Sequence, residues 1–239
     1  MTKNKKILTI ILAVVLVAVI TFSCFLFFKI IPDIQKQKEL EKQVKEYYAQ
    51  KIELYESENA LYGDYEVDVA FLGDSLTDGY DLERYYPEFT TCNRGIGGDT
   101  TIGLEARLKV SVYDLKPKVA VMLIGANNMD KMFDNYEDIL IGLRDNLPET
   151  KIVILSLTAM GGDSWGRKNQ LACYNNVKIK KLANEYGFEY VDLFTPLFNP
   201  RTGEVYEGYT VDGGHFTHEG YLVVTAQIKP ILYELLVGI

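Results

Sequence analysis

Four short segments of this chain hold residues whose types and spacing could do chemistry. In Gly73-Asp74-Ser75-Leu76 a serine follows Gly-Asp at the end of an apolar run, where a strand turns into a helix. A hydroxyl there can serve as a nucleophile, and the helix start offers unpaired N–H groups, Ser75's own included, to developing negative charge. Asp212-Gly213-Gly214-His215 sets a carboxylate and an imidazole three apart across a Gly-Gly turn. That turn can fold so the carboxylate accepts the Nδ1 proton, which leaves Nε2 to take a proton from a serine. Asn93 to Thr100 carries Gly95, Gly97 and Gly98, whose N–H groups could cradle an anion, and Gly125-Ala126-Asn127-Asn128 could add an amide donor. Singly, each has a plainer reading: Ser75 as a helix cap, the others as loops with Asx turns.

What positions these segments is an alternation of strands and helices. Val67 to Leu72, Phe89 to Cys92, Val119 to Ile124, Ile152 to Leu157 and Tyr190 to Leu193 read as strands. Thr101 to Tyr113, Tyr136 to Leu147, Gln170 to Tyr186 and Glu219 to Leu236 read as helices. The third and fourth strands are apolar at successive positions, as strands covered on both faces must be, so the expected fold is α/β, a three-layer α/β/α sandwich on a five-stranded parallel sheet. In such sheets ligands bind beyond the carboxyl ends of the strands, where Gly73 to Leu76, Asn93 to Thr100 and Gly125 to Asn128 fall. Neither a phosphate-binding P-loop nor the dinucleotide glycine pattern is present, and Thr77 stands where a G-x-S-x-G elbow needs its last glycine.

Composition narrows the function classes. The 239 residues carry 25 Lys+Arg against 33 Asp+Glu, a net charge of −8, which becomes −11 when Lys3, Lys5 and Lys6 are set aside. Nucleic-acid binding needs a basic face, so no such partner is expected. With only His215 and His218, and with Cys24, Cys92 and Cys173 far apart, no zinc site is expected. His218 reads as a surface residue at the start of the last helix.

The N-terminus is expected to be a membrane anchor. Ile7 to Phe28 is free of charge, Pro and Gly, and as a helix spans about 33 Å, enough for a bilayer core. A cleaved signal peptide would have a shorter apolar run ending in small residues, whereas Phe25, Phe27 and Phe28 fill this end. Thr21-Phe22-Ser23 is a poor context for lipoprotein processing at Cys24. The expected organisation is a cytoplasmic tail (1–6), a signal anchor (7–28) ended by Pro32, a polar helical stalk or first helix (29–63), and the α/β domain (64–239). Lysines lie on both sides of the span, but the short tail is purely basic, which favours an extracytoplasmic domain.

Together the four segments resemble the blocks that define the SGNH, or GDSL, hydrolase family, in family order over residues 65–239. The resemblance implies a flavodoxin-like sandwich needing no cofactor, with Ser75 as nucleophile, His215 as base and then acid, and Asp212 orienting His215. It implies an oxyanion hole from the N–H groups of Ser75 and Gly98 and the Asn127 amide. One departure is Asn128, where family members usually carry Asp, and this bears on the loop's hydrogen bonding.

On that reading the chain is a serine esterase that removes acetyl or other short acyl groups from cell-surface carbohydrate. The alternatives are an O-acyltransferase of cell-wall polymers using the same acyl-enzyme, a lysophospholipase-like lipid esterase, and a noncatalytic binding module, which would be expected to lack a triad member. Tyr80, Tyr85, Tyr86, Trp165 and Met160 to Ser164 are candidates to line the cleft, although aromatics beside loops more often pack.

Overall fold

The computed structural model describes residues 2–238, which divide into two compact units meeting between Gln50 and Lys51. In the first, helix α1 (Lys3–Phe25) passes through a π-helical turn, Leu26–Ile30, into α2 (Ile31–Asn59), and no side chain of α1 or of that turn is buried. Pro32 does not end the helix as expected. A proline ring collides with the carbonyl four residues back in a regular α-helix; here the widened turn immediately precedes it and relieves that contact.

The second unit begins with the last two turns of α2, which bring Tyr55 fully into its interior. Then follow β1 (Val69–Gly73), α3 (Ser75–Asp78), α4 (Leu82–Tyr85), β2 (Thr91–Gly95), α5 (Thr101–Leu108), β3 (Val119–Leu123) and α6 (Tyr136–Asn146). The chain continues through β4 (Lys151–Leu155), α7 (Gly162–Trp165), α8 (Asn169–Tyr186), β5 (Glu189–Val191) and α9 (Phe194–Leu197). A small antiparallel pair, β6 (Phe198–Asn199) and β7 (Glu204–Val205), precedes α10 (His218–Val237).

The five long-range strands form one parallel sheet in the order β2-β1-β3-β4-β5, sandwiched between helical layers. Every residue of β1 and β3 is buried, because helices cover both faces of each. Helices α5, α6 and α8 contact one another in turn, while α10 packs against β3 and α9. The order reverses between β1 and β3, whose parallel partners run in register from Val69 and Val119 to Gly73 and Leu123. Their carboxyl ends therefore open side by side, at the position where doubly wound sheets bind ligands. β2 starts two residues later than expected and extends to Gly95, so Asn93 and Arg94 lie within the strand.

Candidate active site

β1 delivers Gly73-Asp74-Ser75 to the rim of the sheet, where Asp74 caps α3 by accepting the Leu76 N–H at 3.1 Å. Burial pushes the Asp74 carboxyl up to about 6; the Leu76 hydrogen bond opposes this, and the nearby Asp99 adds to it.

The structure places Ser75 Oγ 3.0 Å from His215 Nε2, and His215 Nδ1 2.7 Å from Asp212 Oδ2. Asp212 Oδ1 also accepts the backbone N–H groups of His215 at 2.8 Å and Gly214 at 2.9 Å. The His215 backbone bond foremost, then the imidazole, then Gly214, hold the Asp212 carboxyl down at about 2. An ionised Asp212 accepts the Nδ1 proton, so the lone pair of Nε2 faces the serine hydroxyl. The turn between them needs glycine at 213, where φ is +88° and a Cβ would lie 1.9 Å from the Gly161 carbonyl oxygen. Gly161 N–H donates back to Gly213 O at 2.8 Å, stitching this loop to the segment after β4.

Among the described residues, the N–H groups of Ser75 and Gly98 have no intramolecular acceptor. Gly98 has φ +79° and open space where a Cβ would be, so its backbone conformation, not crowding, calls for glycine. Asn127 Nδ2 donates to Asp99 O at 2.8 Å with one of its two protons, which leaves the other available. Asn127 lines one small cavity with Ser75, His215, Met160 and Trp165; Gly98 is joined to it through the Asn127–Asp99 bond. The free volume is about 20 Å³. Asn128 uses both ends of its amide: Oδ1 accepts Thr101 N–H at 3.3 Å and Nδ2 donates to Thr101 Oγ at 2.8 Å, so a neutral side chain satisfies the loop.

Tyr80, Tyr85 and Tyr86 do not line this cavity. They pack at steep angles in the core, with the Tyr80 hydroxyl 2.9 Å from that of Tyr86 and 2.6 Å from Thr225 Oγ. His218 opens α10, its Nδ1 2.6 Å from the Tyr85 hydroxyl.

Two buried arginines underpin the site without having stood out in the sequence. Arg107 on α5 bonds Asp99 Oδ2 at 2.7 Å, Arg94 O and Ser111 Oγ at 2.8 Å, and Gly73 O at 2.9 Å. It thereby ties the ends of β1 and β2 to the glycine-rich loop. Arg94 is fully buried against the Tyr55 ring and pairs with Glu58, both from the end of α2. Asn93 Nδ2 donates to Thr77 O at 2.7 Å and Tyr80 O at 3.1 Å, fixing the segment after the Ser75 turn.

The sequence model of the GDSL-like Lipase/Acylhydrolase family matches residues 71–223. No curated protein matches the sequence. Among solved structures, a GDSL-like lipase from Bacteroides thetaiotaomicron is 25% identical, with a TM-score of 0.68 over 77% of this chain and 98% of its own. A Streptococcus pneumonia protein provisionally described as a platelet activating factor is 24% identical, with a TM-score of 0.75 over 84% of this chain and 99% of its own. Axe2, an acetylxylan esterase from Geobacillus stearothermophilus, shares the fold at 20% identity, with a TM-score of 0.57 over 71% of this chain and 95% of its own. With its matched segment running from β1 into α10, the chain belongs to the GDSL-like lipase/acylhydrolase family and is an ester-hydrolysing enzyme.

Proposed function

We propose that the protein is a serine esterase acting on short acyl esters through Ser75, His215 and Asp212. The observation that carries this reading is the continuous chain of hydrogen bonds from Ser75 Oγ through the imidazole to Asp212, at 3.0 and 2.7 Å. His215 Nε2 takes the Ser75 proton as Oγ attacks the ester carbonyl, and the resulting oxyanion is held by the N–H groups of Ser75 and Gly98 and the free Asn127 amide proton. The imidazolium then gives its proton to the departing alkoxide, leaving an acyl-enzyme. Water, deprotonated by the same nitrogen, attacks the acyl-enzyme and restores the serine. Asp212 stays ionised throughout, which its depressed pKa favours.

The cavity beside Ser75 is small, about 20 Å³, which favours a short acyl group. The alcohol is a saccharide in this reading, as in the acetylxylan esterase of the same fold. The apolar helix α1 tethers the enzyme to a membrane, with the enzymatic unit on the extracytoplasmic side: residues 1–6 form the tail, 7–28 the anchor, 29–63 the stalk or first helix, whose end from Lys51 belongs to the enzymatic unit, and 64–239 the remainder of that unit.

The test is hydrolysis of 4-nitrophenyl acetate, butyrate and palmitate by the protein and by Ser75→Ala. We expect kcat/KM to fall with chain length and the variant to lose at least about 10³-fold with its melting temperature unchanged. A variant keeping a tenth of the activity excludes Ser75 as nucleophile, and a preference for palmitate excludes the short-acyl reading.

A further inference from the structure

Next to the nucleophile lies a second, much larger cavity of about 310 Å³, and the two share Asn127 in their walls. Three of the residues around it, Lys131, Arg167 and Lys168, are cationic, with Asp130 the one anion. In a chain of net charge −8 this is a local inversion of sign. The cations are also uncommitted: among the described residues, none of the three side chains has a carboxylate partner. Some other basic side chains are neutralised, as Lys51 is by Asp78 and Lys229 by Glu88. Lys168 instead lies over the Trp165 ring, its Nζ 4.4 Å from the centroid, and Trp165 in turn lines the cavity at Ser75. The basic cavity is thus joined to the reacting serine through Asn127 on one side and through the Lys168–Trp165 contact on the other.

We infer that this cavity binds an anionic group, a carboxylate or a phosphate, carried on the alcohol side of the ester. The inference rests on the esterase reading above and deepens it. The side follows from the short-acyl reading: with the acyl group in the small cavity at Ser75, the rest of a substrate extends outward, and the adjoining cavity has room for a sugar-sized unit. The chemistry is fixed by the lining. A planar guanidinium and two ammonium groups facing one cavity favour an oxyanion, which Arg167 can hold with two parallel N–H bonds. The substrate class is therefore the acyl esters of acidic alcohols, such as acylated uronic-acid or phosphorylated saccharides, in preference to acylated neutral sugars.

Trp165, the sole tryptophan, provides a readout that does not depend on catalysis. The protein is titrated with trigalacturonate, glucose 6-phosphate and the neutral xylotriose while tryptophan fluorescence is followed at low and at high salt. The expected result is a saturable change with trigalacturonate or glucose 6-phosphate, whichever of the two anions binds tighter identifying the natural group. That change should weaken at least about threefold on raising ionic strength from 20 to about 200 mM, with no response to xylotriose. The doubly reversed Lys131→Glu/Arg167→Glu variant is expected to bind the anion about tenfold more weakly. In kinetics, kcat/KM for acetylated polygalacturonate relative to acetylated xylan should fall by a similar factor in that variant. Equal responses to neutral and anionic ligands, or salt-insensitive binding, overturn the proposal even if the variant does not fold, because both are read on the unaltered protein. Failure to hydrolyse 4-nitrophenyl acetate while anion binding persists would overturn the esterase reading and leave the anion site standing.

Discussion

Removing the Arg107 guanidinium while keeping most of its stem, by Arg107→Met, should be among the most destabilising single changes in the second unit. The two partners are 1% and 4% exposed at their side chains, so water cannot replace the lost charge. Asp99 would keep its Oδ1 bond from Thr100 N–H at 2.9 Å but lose its counter-ion, while Arg94 O and Ser111 Oγ would lose a buried donor. Breaking a buried pair from one side costs about 3–5 kcal/mol. For a unit of this length, about 2–4 °C per kcal/mol applies, which gives a drop in Tm of roughly 10 °C. The assay is thermal unfolding at pH 7 of the wild type, Arg107→Met, Asp99→Asn and the double variant. Because the cost comes from an orphaned charge, neutralising Asp99 as well should return part of it, with a coupling of about 2 kcal/mol or more. A loss below about 1 kcal/mol for Arg107→Met, or strict additivity in the double variant, would refute the argument that this pair underpins the site.

Other outcomes follow from the same geometry. Asn127→Ala should lower kcat by about 10²–10³-fold with little change in KM, measured on 4-nitrophenyl acetate; a pure KM effect would remove Asn127 from the oxyanion role. Asp74 has a folded-state pKa raised from 3.8 to about 6, so the folded state holds the extra proton and stability declines as pH rises from about 4 to 6. Denaturant titrations should show this decline, of the order of 3 kcal/mol, and Asp74→Asn should flatten it. Asp212 works in the opposite sense, its pKa being depressed to about 2: its stabilisation is present above about pH 4 and fades as pH falls towards 2, which Asp212→Asn should remove. Truncation before residue 33 should leave a folded, active protein, whereas truncation before residue 64 should not, because it strips Tyr55 and Glu58 from the fully buried Arg94; circular dichroism distinguishes the two.

The strand–helix alternation was legible because β1 and β3 are buried on both faces and so carry unbroken apolar runs. Ser75, Asp212 and His215 could be picked out because few histidines compete and because glycines mark the turns beside them. Boundaries were less legible. β2 runs through Asn93 and Arg94 since pairing with β1, from Val69↔Thr91 to Gly73↔Gly95, outweighs two polar residues whose side chains find partners on other elements. Pro32 misled because a π turn is a backbone adjustment with no residue signature of its own. Arg107 looked like one more charge on an amphipathic helix, and nothing local indicates that it faces inward onto Asp99. The basic cavity was invisible for the same reason: Lys131 and Arg167 lie on separate loops, one after β3 and one after β4.

The hydrogen bond between Ser75 and His215 joins residues 140 positions apart, and His215 lies just ahead of the final helix. On the proposed reading, the turn after β1 supplies the nucleophile and the segment just ahead of α10 supplies its base. On that reading, a chain that stops short of His215 carries Ser75 without the imidazole that would activate it and should be silent towards esters. Cleavage between Asp192 and Asp212 would place Ser75 and His215 on separate fragments, so on the proposed reading activity would then depend on the two staying associated.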